Sequence, residues 1–121
     1  MARRPFLESL CFAWKGLVWA WRTQGNLRRH TLAAVLAVGL ARWLKLSAAE
    51  QALVVLTVAL VLITELANTA LEALVDLYKR TYHPLAKVAK DVAAAAVLVA
   101  AFAALIVGLI ILGPPLLRLW P

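Results

Sequence analysis

The stretch VLITELANTALEALVDL, residues 61–77, decides the fold, because an apolar helical pattern there carries regularly spaced polar groups. Four of these side chains recur at steps of three and four: Glu65, Asn68, Glu72 and Asp76. Such steps place them on one face of a helix. A charged side chain inside a membrane costs about 2.5–3.5 kcal/mol on insertion scales. The pattern therefore predicts a membrane helix whose acidic face has a chemical use.

The composition of the chain supports a membrane protein. It has 121 residues, enough for one domain over 1–121, and 64% of them are hydrophobic. Mean hydropathy is +0.86, and only 16% of residues are charged. The net charge of +7 raises nucleic-acid binding as an alternative. In a membrane protein the same excess is typical of cytoplasmic loops, so we expect no nucleic-acid partner.

The pattern predicts an all-α membrane protein with a surface helix and three transmembrane helices. Residues 6–28 show the amphipathic spacing of a helix lying in the interface, with Trp14 at headgroup depth. A break at Gly25-Asn26 precedes the first span. The three predicted spans cover residues 31–46, 49–79 and 84–112.

Local signals mark the ends of these helices. S-A-A-E at 47–50 has the spacing of a capping box. His83-Pro84 separates the second span from the third, and Gly113-Pro114-Pro115 is predicted to end the third.

Basic residues predict the orientation of the spans in the membrane. Six of the 13 precede the first span and four lie at 79–90, which makes ten on one side, and three fall on the opposite side. The positive-inside rule therefore places the N-terminus and the 79–90 connection in the cytoplasm.

The acidic face has two possible explanations. Polar contacts between helices are modest, averaging about 0.6 kcal/mol, and could account for Asn68 alone. They account poorly for three aligned acids, which repel one another. Carboxylates near the cytoplasmic interface can hold Mg²⁺ together with phosphate oxygens, or accept a proton from a hydroxyl. Lys90 and Asp91 begin the third span nearby, where Lys90 could pair with a phosphate and Asp91 with a lysine or a metal.

Several segments together carry a resemblance to a known family. ELANTALEALVDL at 65–77 and YHPLAKVAKDVAAAAV at 82–97 resemble the small prokaryotic diacylglycerol kinases, which include the undecaprenol kinases of Gram-positive bacteria. AWKGL at 13–17 and NLRRH at 26–30 match as well. The resemblance implies a homotrimeric kinase in the bacterial inner membrane. It would transfer the γ-phosphoryl group of MgATP to a lipid alcohol at sites shared between subunits.

The resemblance also implies roles for individual residues. Glu65 corresponds to the catalytic base, Asn68 to a residue that supports the site, and Glu72 to a ligand of the nucleotide's metal. The nucleotide side comprises Glu72, Asp76, Tyr82, His83, Lys90 and Asp91. Trp14 and Glu65 are expected to face the lipid. Many members carry a second metal-binding glutamate where this chain has Gln24, and a neutral amide coordinates Mg²⁺ more weakly.

The acceptor and the protein class each have an alternative. The segment HPLAKVAKDVAA, residues 83–94, favours undecaprenol as the acceptor, with diacylglycerol as the alternative. A protein of another class, a non-enzymatic channel or transporter subunit, would need a continuous polar path. The uncharged run at 92–112 argues against such a path.

Overall fold

The computed structural model describes residues 5–78 and 83–121 of the chain. Within these ranges the protein is entirely helical. The four helices are α1 Phe6–Thr23, α2 Gly25–Trp43, α3 Ala48–Tyr78 and α4 Pro84–Arg118. The prediction of an all-α chain is confirmed for the described residues.

The junction between α1 and α2 differs from the sequence prediction. The surface helix was predicted to reach residue 28 and the next helix to begin at 31, whereas the structure breaks at Gln24, whose backbone is extended (φ −111°, ψ 102°). Arg28 explains the early break, because its guanidinium donates hydrogen bonds to the carbonyls of Trp21 and Arg22. These carbonyls lie in the last turn of α1, where no helical partner remains, and a basic side chain stabilises such an end.

The turn between α2 and α3 is closed by two capping motifs. Lys45 takes the left-handed conformation (φ 55°), and Lys45 and Leu46 donate backbone hydrogen bonds to Arg42 and Ala41. This is the bonding pattern of a Schellman motif. Ser47 Oγ then accepts from the Glu50 amide at 3.2 Å, while Glu50 Oε1 accepts from the Ser47 amide at 3.4 Å. The predicted capping box is thereby confirmed.

Replacing Ser47 with alanine should destabilise the start of α3. The substitution removes the acceptor for the Glu50 amide, and loss of such a cap costs about 1 kcal/mol. We expect a lower thermal unfolding midpoint in detergent for Ser47→Ala. Ser47→Asp, which keeps a capping oxygen, should stay near the parent protein; equal midpoints for all three would contradict this role of the cap.

Helix α3 lies at the centre of the molecule, packed most extensively on α4 and next on α2. The buried apolar cluster is small, formed by Ala41, Val54 and Ile111. Large apolar side chains are exposed along α2, α3 and α4. Within the described residues, α3 and α4 are long and apolar enough to cross a membrane. Helix α2 carries three arginines and does not reach that measure, so the first predicted span stays a prediction.

The end of α4 also differs from the prediction. The sequence GPP at 113–115 was expected to stop the helix at 112, but α4 continues through Pro114 and Pro115 to Arg118. Each proline removes one backbone donor, yet the residue before Pro114 is glycine, which has no side chain to clash with the ring. Membrane helices tolerate prolines of this kind.

Candidate functional site

Glu65 is the most deeply buried acidic residue in the described chain, with 3% of its surface exposed. It shares the buried face of α3 with Val54, Val61 and Thr69. From α2, His30 places its Nε2 atom 3.9 Å from Glu65 Oε2. The Thr69 hydroxyl donates a hydrogen bond to the backbone carbonyl of Glu65 at 2.9 Å, not to its carboxylate. The carboxylate therefore lies inside the helix packing beside a single basic partner.

Asn68 and Glu72 continue the polar face toward the end of α3. Asn68 Nδ2 donates to Glu72 Oε1 over 3.4 Å. The other end of the same amide, Oδ1, is buried and has no hydrogen-bond partner among the described residues. An unsatisfied buried oxygen is costly, and this one is left able to accept a hydrogen bond or to bind a cation.

Asp76 and Lys90 join the end of α3 to the start of α4. Lys90 Nζ donates to Asp76 Oδ1 at 3.0 Å. Lys90 lies in the second turn of α4, before the uncharged run at 92–112. The hydrogen bond to Asp76 raises the pKa of the Lys90 ammonium, outweighing its partial desolvation. The lysine therefore stays charged at neutral pH and can meet a phosphate.

His83 and Asp91 have local structural partners as well. His83 is the N-cap of α4, and its Nδ1 accepts from the Leu85 amide at 3.1 Å. In a neutral ring the proton must then lie on Nε2, which leaves that nitrogen as a donor. Asp91 pairs with Lys87 at 2.6 Å, and both side chains are exposed. Of the partners considered for Asp91 in the sequence analysis, the structure shows a lysine, Lys87.

Two predicted site residues are not part of this group as described: Gln24 is not joined to it, and Tyr82 lies outside the described residues. Gln24 lies at the α1–α2 junction, half-buried, and its amide nitrogen donates to Thr23 Oγ1 at 3.3 Å. Among the described residues, no hydrogen bond links Gln24 to Glu72.

An apolar groove of about 480 Å³ lies between α1, the first turns of α2, and α3, and Glu65 is not one of its lining residues. Its walls are almost purely apolar and include Trp14, Leu17, Val18, Trp21, Leu62 and Leu66. Leu62 and Leu66 lie on either side of Glu65 in α3. The groove thus offers space for a hydrocarbon chain, and Trp14 is one of its lining residues.

Comparison with known proteins identifies the family. A sequence model described as "Prokaryotic diacylglycerol kinase" matches residues 11–112. The chain belongs to the prokaryotic diacylglycerol kinase family. Members of this family are membrane lipid kinases, and every proposed site residue falls within the matched range.

Three relatives illustrate the similarity to this family. The chain is 52% identical to a diacylglycerol kinase of Synechocystis, over 93% of this chain and 65% of that one. It therefore spans about two thirds of that relative. Identity to the diacylglycerol kinase of Escherichia coli K12 is 42%, covering 88% and 87% of the two chains. Identity to the undecaprenol kinase of Bacillus subtilis is 39%, covering 92% and 90%.

The residues present fit a magnesium ion only if that ion is shared with phosphate. Within the described residues there is no cluster of three or more histidine, cysteine or acidic side chains that could hold a metal. Mg²⁺, however, usually takes one or two carboxylates and completes its shell with water and substrate phosphates. The Glu72 carboxylate and the orphaned Asn68 Oδ1 are oxygen donors of the required kind. A kinase-family site of this composition would bind the ion together with ATP.

The proximity of His30 to Glu65 was not predicted from the sequence. His30 belongs to the NLRRH segment that matched the family, but no role was assigned to it. Periodicity within α2 indicates which residues share a face and not which helix that face meets. Only the packing of α2 on α3 shows the pair.

Proposed function

We propose that the protein is an ATP-dependent kinase that transfers the γ-phosphoryl group of MgATP to a membrane lipid alcohol. The observation that carries this proposal is the position of Glu65, a buried carboxylate on α3 whose near neighbours in sequence, Leu62 and Leu66, line an apolar groove. On the same helix, Asn68, Glu72 and Asp76 lead from it to Lys90. A hydrocarbon chain and a nucleotide could thus approach the same carboxylate from different sides.

Glu65 serves as the general base in this proposal. The lipid chain lies in the groove beside Trp14, and the hydroxyl reaches the Glu65 carboxylate. The carboxylate takes the hydroxyl proton while the alcohol oxygen bonds to the γ-phosphorus. The bond from that phosphorus to the β–γ bridging oxygen then breaks and ADP leaves. Phosphoryl transfer needs positioning and charge neutralisation above all, which suits a site with few groups.

The nucleotide lies toward the end of α3. Glu72 and the Asn68 oxygen would hold the magnesium ion, which would neutralise phosphate charge. Lys90, kept charged by Asp76, supplies a cation to the phosphates, and His83 offers its Nε2 donor. Asp91 and Tyr82 complete the nucleotide side. The rise of about 1.5 Å per residue separates Glu65 from Asp76 by about 16 Å along α3, a span that extended triphosphate and nucleoside groups can cover.

The proposed setting is a bacterial inner membrane with the N-terminus in the cytoplasm. Helix α1 lies in the interface, and α2, α3 and α4 cross the bilayer. Helix α2 can serve as the first predicted span, a short one, because its central part at 31–41 is uncharged. Arg42, near the C-terminal end of α2, can extend its guanidinium into the water on the side of the membrane opposite the N-terminus.

A homotrimer with shared sites is part of the same proposal. A single chain exposes apolar side chains along three helices and leaves the Asn68 oxygen unsatisfied. A neighbouring subunit could cover the exposed apolar side chains and help to complete the site around the Asn68 oxygen. The alanine run at 93–96, in α4, would permit close helix approach.

A channel or transporter subunit is the competing class. The apolar character of α4 between 92 and 112 offers no polar path through that helix. Ion conductance in liposomes, without any consumption of ATP, would support that class instead.

The acceptor is proposed to be undecaprenol, on the segment at 83–94. Diacylglycerol is the second candidate, because relatives named diacylglycerol kinase reach 52% and 42% identity against 39% for the relative named undecaprenol kinase. Purified protein in bilayers should be given MgATP and each alcohol at equal mole fraction. We expect faster formation of the isoprenyl phosphate.

Two other outcomes of that assay are informative. If diacylglycerol were phosphorylated faster, it would be the acceptor in place of undecaprenol, and the kinase proposal would stand. Turnover of neither alcohol by folded, oligomeric protein would contradict the kinase proposal itself.

A further inference from the structure

His30 is a polar residue of α2 that the reaction described above does not use. Its side chain is 29% exposed, and it lines a cavity of about 290 Å³ between α2, α3 and α4. The other lining residues are uncharged, among them Ala34, Val61, Ala101 and Ala104. His30 therefore brings the one ionisable side chain into an otherwise apolar cavity, close to the proposed base.

Glu65 is the only ion-pair partner of His30 within the described part of the chain. The other basic groups near it in α2 are engaged elsewhere. Arg28 binds the carbonyls at the end of α1, and Arg29 donates to Asn26 Oδ1 at 3.1 Å. Among the described residues that line the cavity, α3 and α4 contribute no charged side chain.

We infer that His30 is a positioning residue for Glu65, holding carboxylate atom Oε2 so that Oε1 is free to meet the lipid hydroxyl. This inference rests on the proposed function. The separation of 3.9 Å is longer than a hydrogen bond, but catalytic contacts without substrate are often long and shorten in the complex. A movement of the Glu65 carboxylate by about 0.7–1 Å would bring the two atoms within hydrogen-bond distance.

A buried carboxylate needs such a partner. With only 4% of its side chain exposed, Glu65 is shielded from water, and an unpaired buried charge is strongly disfavoured. A donor at Oε2 offsets that cost and also restricts rotation of the carboxylate. Positioning of this kind matters because a small misplacement of a reacting group can lower a rate by about 100-fold.

The test compares His30→Ala and His30→Gln with the parent protein, in bilayers that contain the lipid alcohol the parent phosphorylates. We expect His30→Ala to lower kcat by roughly 10–100-fold while KM for MgATP changes little. Glutamine can still donate a hydrogen bond near the Nε2 position, so His30→Gln should recover most of the lost kcat. Only the parent carries an ionisable side chain at position 30, so the kcat–pH profiles of the parent and of His30→Gln should differ.

A matched control and a second readout keep the inference independent of folding. Arg29→Gln removes a neighbouring charge of α2 and should leave both kcat and the pH profile as in the parent. Thermal unfolding of His30→Ala, Glu65→Gln and the double variant should be non-additive, because both changes remove the same contact. This measurement needs no activity.

Two results would overturn the inference. One is a His30→Ala variant with parental kcat and pH profile. The other is additive unfolding shifts together with a glutamine variant no better than alanine. A parent protein that phosphorylates no lipid would instead contradict the proposed function, while the unfolding cycle would still report on the contact.

Discussion

The Glu65→Gln protein should bind MgATP and assemble normally but phosphorylate its lipid acceptor about 100–10,000-fold more slowly than the parent, the range that a general base contributes. Glutamine has nearly the same shape as glutamate and cannot take the hydroxyl proton. Glutamine also keeps a side-chain oxygen that can accept a hydrogen bond from His30. The fold should therefore persist, and the loss should appear in kcat. Initial rates at saturating MgATP and lipid provide the measurement.

The control for this variant is Glu8→Gln. Glu8 is an exposed acid in the first turn of α1, and the substitution changes net charge by the same amount. It should retain the parental kcat. Comparable rates for Glu65→Gln and Glu8→Gln, with both proteins folded, would remove Glu65 from the chemistry.

The Glu72→Gln protein should lose activity in a way that depends on magnesium. Glu72 is hydrogen-bonded to Asn68 and is half-buried one turn beyond it in α3. Hydrogen bonds to charged groups are worth roughly 1.5–3 kcal/mol, so loss of the carboxylate should lower kcat/KM for MgATP by about 10–100-fold. Raising the Mg²⁺ concentration should restore part of this loss.

The magnesium response separates Glu72 from Glu65. Excess Mg²⁺ should not rescue Glu65→Gln, because the proton acceptor is missing whatever the occupancy of the metal. Rescue of both variants, or of neither, would contradict the division of roles between a base and a metal ligand.

The sequence predicted the polar face of α3 well, because a helix fixes the relative direction of its own side chains. Glu65, Asn68 and Glu72 follow the helical period, and the structure shows the Asn68–Glu72 contact that this period allows. The capping box at Ser47 was predictable for the same reason, since both partners lie three residues apart.

Contacts between helices were not predictable in this way. The approach of His30 to Glu65 depends on how α2 rotates against α3. The hydrogen bond from Lys90 to Asp76 joins α4 to α3 between residues that are 14 positions apart in sequence. The early break at Gln24 depends on Arg28 reaching back to the end of α1. In each case the deciding partner comes from another helix, which no local pattern specifies.

The central claim is that Glu65 moves the lipid's proton while the phosphoryl group passes from ATP. The most direct test is a single turnover with γ-³²P-labelled ATP and an excess of enzyme in lipid bilayers. The account predicts that label appears on the lipid alcohol with the parent protein, and that Glu65→Gln binds the same ATP but leaves it unconverted over that time. Transfer of label by Glu65→Gln at the parental rate would contradict the account.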